Sequence, residues 1–427
     1  MPTASAMSVR DVPSKPCSPN MWVAAAAMAS RVEGVVGAVT IVPSRGERTD
    51  CTPRGPGVAS EAMRRRLAAA RVLAPRGLVE HAAVDVEDGR VVGVDQVPGG
   101  VQVPDRTLAP GFVDLQVNGL DDVDVAEAGE RWPRIERRLA AGGVTTWCPT
   151  LVTAPLDAYP ARFEAVAAAA DRPAGGRPAI AGVHLEGPFL GARPGAHPVD
   201  LLRPLDLDWL AALPDIVRLV TLAPDLEGAP EAVRLLRRKG MAVSLGHSAA
   251  SPQQVVASVE AGATLVTHVF NGMPPLHHRD PGLAGSALLD DRLTACVIGD
   301  GVHVAPAAVA LVFRCKPAGR VALVSDAIAW RAREHAGSPI TLVDGAARLP
   351  DGTLAGSAIT LDAAVRTAVA GGVPVADALV AASATPAEAI GCTDRGRLVP
   401  GARADLVALG PDLCVEATWV GGAQVHG

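Results

Sequence analysis

Three residues of ligand type end three apolar runs in this 427-residue chain: Glu186 in IAGVHLEGP, His247 in MAVSLGHS and His268 in TLVTHVFNG. A buried strand that carries one polar group to its end and then breaks at a turn places that group at the rim of a core. One carboxylate and two imidazoles presented in this way can supply three ligands to a divalent ion and leave a fourth position for water. Each residue alone is equally compatible with a locally hydrogen-bonded polar side chain. All three at strand ends favour the ion.

A second carboxylate, Asp326, ends the run VALVSDA. Beside such an ion it can take a proton from attacking water and return it to a leaving amine; otherwise it caps the following turn or orients a histidine. His303 in GDGVHV and His197 in PGAHP lie in stretches that follow strand-like runs, where a carbonyl or a sugar hydroxyl needs a donor. The loop NGMPPLHHRDPGLAG carries Arg279, the side-chain type best suited to gripping phosphate.

The elements that must position these residues follow from periodicity. GFVDLQV, VTTWCPTLV, IAGVHLE, VRLVTLAP, AVSLGH, TLVTHVF, LTACVIGD and VALVSDA make eight strand-like runs, separated by Ala/Leu-rich helical stretches. In one of these, SPQQVVASVEAG, Ser251 is the expected cap, Pro252 the first helical residue and Gly262 the stop, with Val255, Val256 and Val259 on one face. Eight βα units predict an α/β fold, a (β/α)8 TIM barrel over residues 110–394 whose site lies at the C-terminal strand ends. Short strands in 63–109 and 395–427 predict a small β-sandwich domain formed from both ends of the folded chain. Residues 1–62, broken by Pro, Ser, Gly and Arg, are expected to be a poorly ordered N-terminal extension, with Met63 a candidate initiator.

Composition narrows the function. Net charge is −6, and no Lys/Arg cluster follows a predicted groove or helix face, which argues against nucleic acid as a partner. No apolar segment is long enough for a membrane span. Seven cysteines without CxxC spacing suit reduced, mostly buried thiols and a cytoplasmic location. Lysine occurs only at 15, 239 and 316, none ending a predicted strand, so a carbamylated lysine bridging two ions is excluded. The first barrel strand has Gln116-Val117-Asn118 where many barrel hydrolases place a His-x-His pair. One ion per chain is therefore expected.

From about residue 64 onward the chain resembles the amidohydrolase superfamily and, within it, the N-acetylglucosamine-6-phosphate deacetylases. The motifs in order are PGFVDLQVNG, HLEGPFL with GAHP, LGHS, THVFNGMPPLHHRDPGLAG, DGVHV, VSDA, DGTLAGSAITLD and PGARADLVAL. The resemblance implies Glu186, His247 and His268 as ligands of one divalent metal ion, usually zinc, and Asp326 as general base and then acid. It implies His197 against the acetamide carbonyl, His303 near the sugar and its phosphate, and Asn271 and Gly272 in contact with substrate. Arg279 matches the arginine that reaches the phosphate in the neighbouring subunit, which implies a homodimer. The expected activity is metal-dependent deacetylation of N-acetylglucosamine 6-phosphate to glucosamine 6-phosphate and acetate. Alternatives are a deacetylase of galactosamine 6-phosphate or of an unphosphorylated amino sugar, or a cyclic-amide hydrolase. A non-catalytic barrel scaffold is the competing class, and the cost of burying so many polar groups argues against it.

Overall fold

Eight short runs of buried residues assemble side by side in chain order. The computed structural model describes residues 64–173 and 175–427. Within it Phe112–Val117, Val144–Leu151, Val183–Glu186, Val217–Leu222, Ala242–Leu245, Leu265–Val266, Thr294–Ile298 and Val321–Val324 form one sheet, neighbour to neighbour. Every adjacent pair is parallel. The first, second and third strands are buried at every residue, as expected where helices cover one face and the barrel interior the other. The eighth strand returns to the first through a parallel bridge between Val117 and Ala327, which brings the fold to a (β/α)8 barrel. The expected segment 1–62 and Met63 lie outside the described residues.

Helices fill the connections. Pro252–Ala261 begins where the sequence places it: Ser251 and Gln254 form a reciprocal capping box, and Gly262 ends the helix in the left-handed region at φ 117°. Val255 and Val259 are buried, but Val256 is exposed, so the apolar face is narrower than the sequence pattern implies. The thiols also differ from expectation. Cys148 and Cys296 are buried in the barrel, whereas Cys315 and Cys414 are exposed.

The two chain ends meet in a separate seven-stranded sheet. Leu406–Leu409 pairs antiparallel with Thr107–Pro110, and that strand runs parallel to Arg64–Ala74. Alternation along Leu406–Leu409 explains how the sheet is held: Leu406 and Ala408 enter its own core with Leu67, Val84 and Trp419, while Val407 and Leu409 join the large barrel core. Thr418 Oγ1 also donates to the Ala140 carbonyl of the barrel at 2.8 Å. After the eighth strand, a three-stranded antiparallel unit, Thr341–Val343, Ala346–Arg348 and Leu354–Ser357, follows Asp326 and is tied to it by the Ser357 amide, which donates to the Asp326 carbonyl at 2.8 Å.

Candidate metal centre and active site

The ends of the third, fifth and sixth strands bring Glu186, His247 and His268 together. Nε2 of His247 and Nε2 of His268 lie 3.2 and 3.1 Å from Glu186 Oε1, and the two nitrogens are 3.0 Å apart. An ion bound tetrahedrally at 2.0–2.1 Å would separate its donors by roughly 3.3 Å, so this triangle has the size such an ion requires. His247 Nδ1 donates to the Arg193 carbonyl at 3.1 Å, which leaves the Nε2 lone pair facing the centre of the cluster. Gln116 Nε2 donates to Glu186 Oε1 at 2.9 Å and orients that carboxylate.

The electrostatics favour positive charge at this point. Burial works to raise the Glu186 pKa, yet the imidazoles of His247 and His268 at its Oε1 hold it well below the usual carboxylate value. Burial likewise opposes charge on His268, but the bond to Glu186 and its negative charge raise the histidine pKa. Positive charge at His268 is thus favoured, as a cation at this point would be. The residues present fit a divalent ion.

Backbone strain marks the same positions. His247, His268 and Asp326 have φ values of 56°, 29° and 49°, in the left-handed region that disfavours side chains by about 1–3 kcal/mol each. Each strand therefore ends in a sharp turn that points its functional group inward, and the packed barrel holds the strain. Gly272, at φ 61°, has a different task. A Cβ on it would come within 2.8 Å of His247 Nδ1, so its bareness lets the 271–272 loop lie against that ring.

Asp326 stands beside the cluster. Its Oδ1 accepts from Asn118 Nδ2 at 2.8 Å, and burial, followed by the Glu186 charge, pushes its pKa up to about 7. A carboxylate so tuned can hold and release a proton near neutrality. His197 lies across the cluster, its Nε2 3.9 Å from Glu186 Oε2. The Thr153 amide donates to His197 Nδ1 at 3.4 Å and the Thr153 hydroxyl lies 2.8 Å from the same nitrogen. Since Nδ1 accepts, the ring proton sits on Nε2, facing the site. Burial, then the neighbouring His247, depresses the His197 pKa well below its ordinary value, so the ring is neutral and a donor. Gly187 makes this possible: at φ 83°, a Cβ there would lie 2.3 Å from Thr153 Oγ1.

His303 is also near. Its Nδ1 donates to Asp300 Oδ2 at 2.6 Å, and both side chains are buried. Asn271 Nδ2 donates to the His268 carbonyl at 3.4 Å. Arg279 is apart from these groups: it is exposed, with Nη1 3.0 Å from His278 Nε2. Four residues escaped the sequence reading as functional positions: Gln116, Asn118, Thr153 and Asp300. Gln116 and Asn118 had a signal, as polar residues alternating at the end of the first strand. Thr153 and Asp300 had none beyond being ordinary turn residues.

With this geometry in hand, known proteins give a consistent picture. The amidohydrolase family model matches residues 107–425. An N-acetylgalactosamine-6-phosphate deacetylase of Escherichia coli is 38% identical over 370 residues, covering 83% of this chain and 98% of its own. The human N-acetylglucosamine-6-phosphate deacetylase is 41% identical over 345 residues, covering 75% and 83%. The structure of the Mycobacterium smegmatis N-acetyl-D-glucosamine-6-phosphate deacetylase in complex with N-acetyl-D-glucosamine-6-phosphate, in a mutant form, superposes with a TM-score of 0.79 at 34% identity, covering 86% of this chain and all of that one.

Proposed function

The chain belongs to the amidohydrolase family, and we propose that it hydrolyses the acetamide of N-acetylglucosamine 6-phosphate, giving glucosamine 6-phosphate and acetate in amino-sugar catabolism. The observation that carries this reading is the convergence of Glu186, His247 and His268 within 3.2 Å of one another, with Asp326 and the His197 donor beside them.

Glu186, His247 and His268 hold one divalent ion, which we assign as zinc from its nitrogen and carboxylate donors. When bound, it supplies Lewis acidity toward the acetyl carbonyl and lowers the pKa of water toward about 7. Asp326 accepts the proton of the attacking water and passes it to the departing amine. The Nε2–H of His197 donates to the carbonyl oxygen as negative charge develops there, and being neutral it does so without repelling the ion. Gln116 and Asn118 hold the two carboxylates at their angles.

His303, Asn271 and Gly272 face the sugar. Arg279, from its exposed loop, serves the phosphate of a substrate bound in the neighbouring subunit of a homodimer. Among the described residues, 64–109 and 395–427 form the β domain and those of 110–394 the catalytic barrel of a cytoplasmic enzyme. Among the described residues no helix is long and apolar enough to cross a membrane.

The galactosamine 6-phosphate epimer is the second reading, favoured by the E. coli relative matched along 98% of its length. The test is acetate release from both phosphorylated epimers, with metal content measured beside it and Asp326→Asn as control. About one divalent ion per chain and turnover of the gluco epimer that vanishes in the mutant are expected. Metal with faster turnover of the galacto epimer would change the sugar and keep the mechanism. Purified protein that neither contains nor responds to a divalent ion would defeat the proposal.

A further inference from the structure

Among the described residues the barrel has one weak seam. Its first and eighth strands share the single bridge Val117–Ala327, where every other neighbouring pair runs in a ladder. Beside that bridge a side chain spans the gap. Asp114 is fully buried, and its Oδ1 accepts from the Ser325 amide at 3.2 Å and the Gln116 amide at 3.3 Å. Ser325 Oγ returns the link by donating to the Gln116 carbonyl at 3.3 Å. The other oxygen, Oδ2, is buried with no partner.

A buried carboxylate with one oxygen unsatisfied is an expensive way to close a seam. An apolar residue of similar volume would pack there without that penalty, as Val113 and Leu115 do on either side. Burial alone accounts for most of the rise of the Asp114 pKa to about 6. What the carboxylate does, and an apolar side chain does not, is gather two amides on one oxygen. The first belongs to Gln116, whose side chain orients Glu186. The second belongs to Ser325, the residue before Asp326. Asn118, two residues beyond Gln116, completes the frame with its bond to Asp326 and with its amide, which donates to the Ala327 carbonyl at 2.8 Å.

We propose that Asp114 is a positioning residue for the amide hydrolysis: its Oδ1 locks the first strand to the eighth and so sets Asp326 and the Gln116–Glu186 pair in register with each other. The proposal rests on the reading of Asp326 and Glu186 given above. It acts through hydrogen-bond acceptance, so the amide of asparagine should serve where a hydrocarbon does not.

The experiment compares Asp114→Leu, which keeps the branching at Cγ and removes the acceptor, with Asp114→Asn, which keeps the acceptor. Steady-state kinetics on N-acetylglucosamine 6-phosphate are run well below each variant's melting temperature. Visible spectra of the Co2+-loaded proteins report the geometry of the ligand set without turnover. Asp114→Leu should lower kcat by roughly 10–100-fold, the loss expected from misplacing a reacting group by about 1 Å, with KM within about twofold. Its Co2+ spectrum should change, and Asp114→Asn should restore both. If the leucine protein does not fold, Asp114→Ala gives the same contrast. A variant that melts earlier but keeps wild-type kcat and spectrum would overturn the proposal, as would an asparagine variant no better than leucine. Failure of the functional reading looks different: the wild-type protein itself then releases no acetate, while the Co2+ spectra still decide whether Asp114 sets the ligand geometry.

Discussion

The proposed ion-binding rim and the Arg279 loop are built on opposite terms. Glu186, His247 and His268 are at most 5% exposed, hydrogen-bonded to one another and held by strand ends. Arg279 is exposed in a loop, where its side chain meets the adjacent His278. The fold of a single chain dictates the first arrangement. It leaves the second open, to be fixed by whatever the loop meets. The bond-breaking chemistry is thus expected to be a property of the protomer, and phosphate recognition a property of the assembly.

Mutation separates the two regions, starting with the rim. His268→Ala should lose the ion and lower turnover by on the order of 10³-fold or more, whichever amino sugar is offered. Metal analysis and acetate release measured on the same preparation check this. Retention of a full equivalent of ion would show that the triangle of donors is not the metal site.

Arg279→Ala should behave otherwise. Losing a charge-assisted contact worth about 1.5–3 kcal/mol should raise KM for the phosphorylated sugar by about 10–100-fold, with kcat nearly unchanged. The same variant should not alter the slow turnover of the unphosphorylated sugar. An equal loss on both substrates would place Arg279 in the chemistry and dissolve the contrast.

Gly272 connects the two regions, because it begins the loop and also packs on His247. Its replacement by alanine should weaken metal affinity by about tenfold, the size of effect seen when the surroundings of a ligand are disturbed. Competition with a chromogenic chelator measures it. An alanine variant with full affinity but a raised KM would assign the residue to the substrate alone.

What the sequence made legible follows the same division. Glu186, His247, His268 and Asp326 were readable because each ends an apolar run, and the barrel converts four strand ends into one place. The β domain was readable from short strands at both ends of the chain, though not its use of alternate residues of Leu406–Leu409 to join two cores. The partners of the chemical groups were not. Thr153 meets His197 across 44 residues and Asn118 meets Asp326 across 208, and no local periodicity encodes such a distance. In the sequence Gln116 and Asn118 stand out only as the absence of a histidine pair. In the structure they hold the two carboxylates.

The smallest expected effect is also the most diagnostic of that hidden support. Asp326 must be ionised to accept a proton, so kcat/KM should rise with pH and fall about tenfold per unit on the acid side. Burial sets its pKa near 7 in the metal-free protein, and a bound cation should draw the acid limb lower. The Asn118 bond favours the ionised form, and Asn118→Leu should therefore move the limb upward, by roughly one unit at most. A limb that stays in place would remove Asp326 as the titrating base. Stability supplies the independent sign. A carboxyl whose folded pKa exceeds its unfolded value of 3.8 stabilises the native state fully below 3.8 and loses that contribution as pH rises through about 7. Bound cation relieves the buried charge that remains above pH 7. Melting temperature should accordingly gain more from added Zn2+ at pH 8 than at pH 5, a difference to which the raised pKa of His268 also contributes. Asp326→Asn should shrink that difference while leaving the rest, and an unchanged difference would mean that the carboxylate and the ion do not share one electrostatic site.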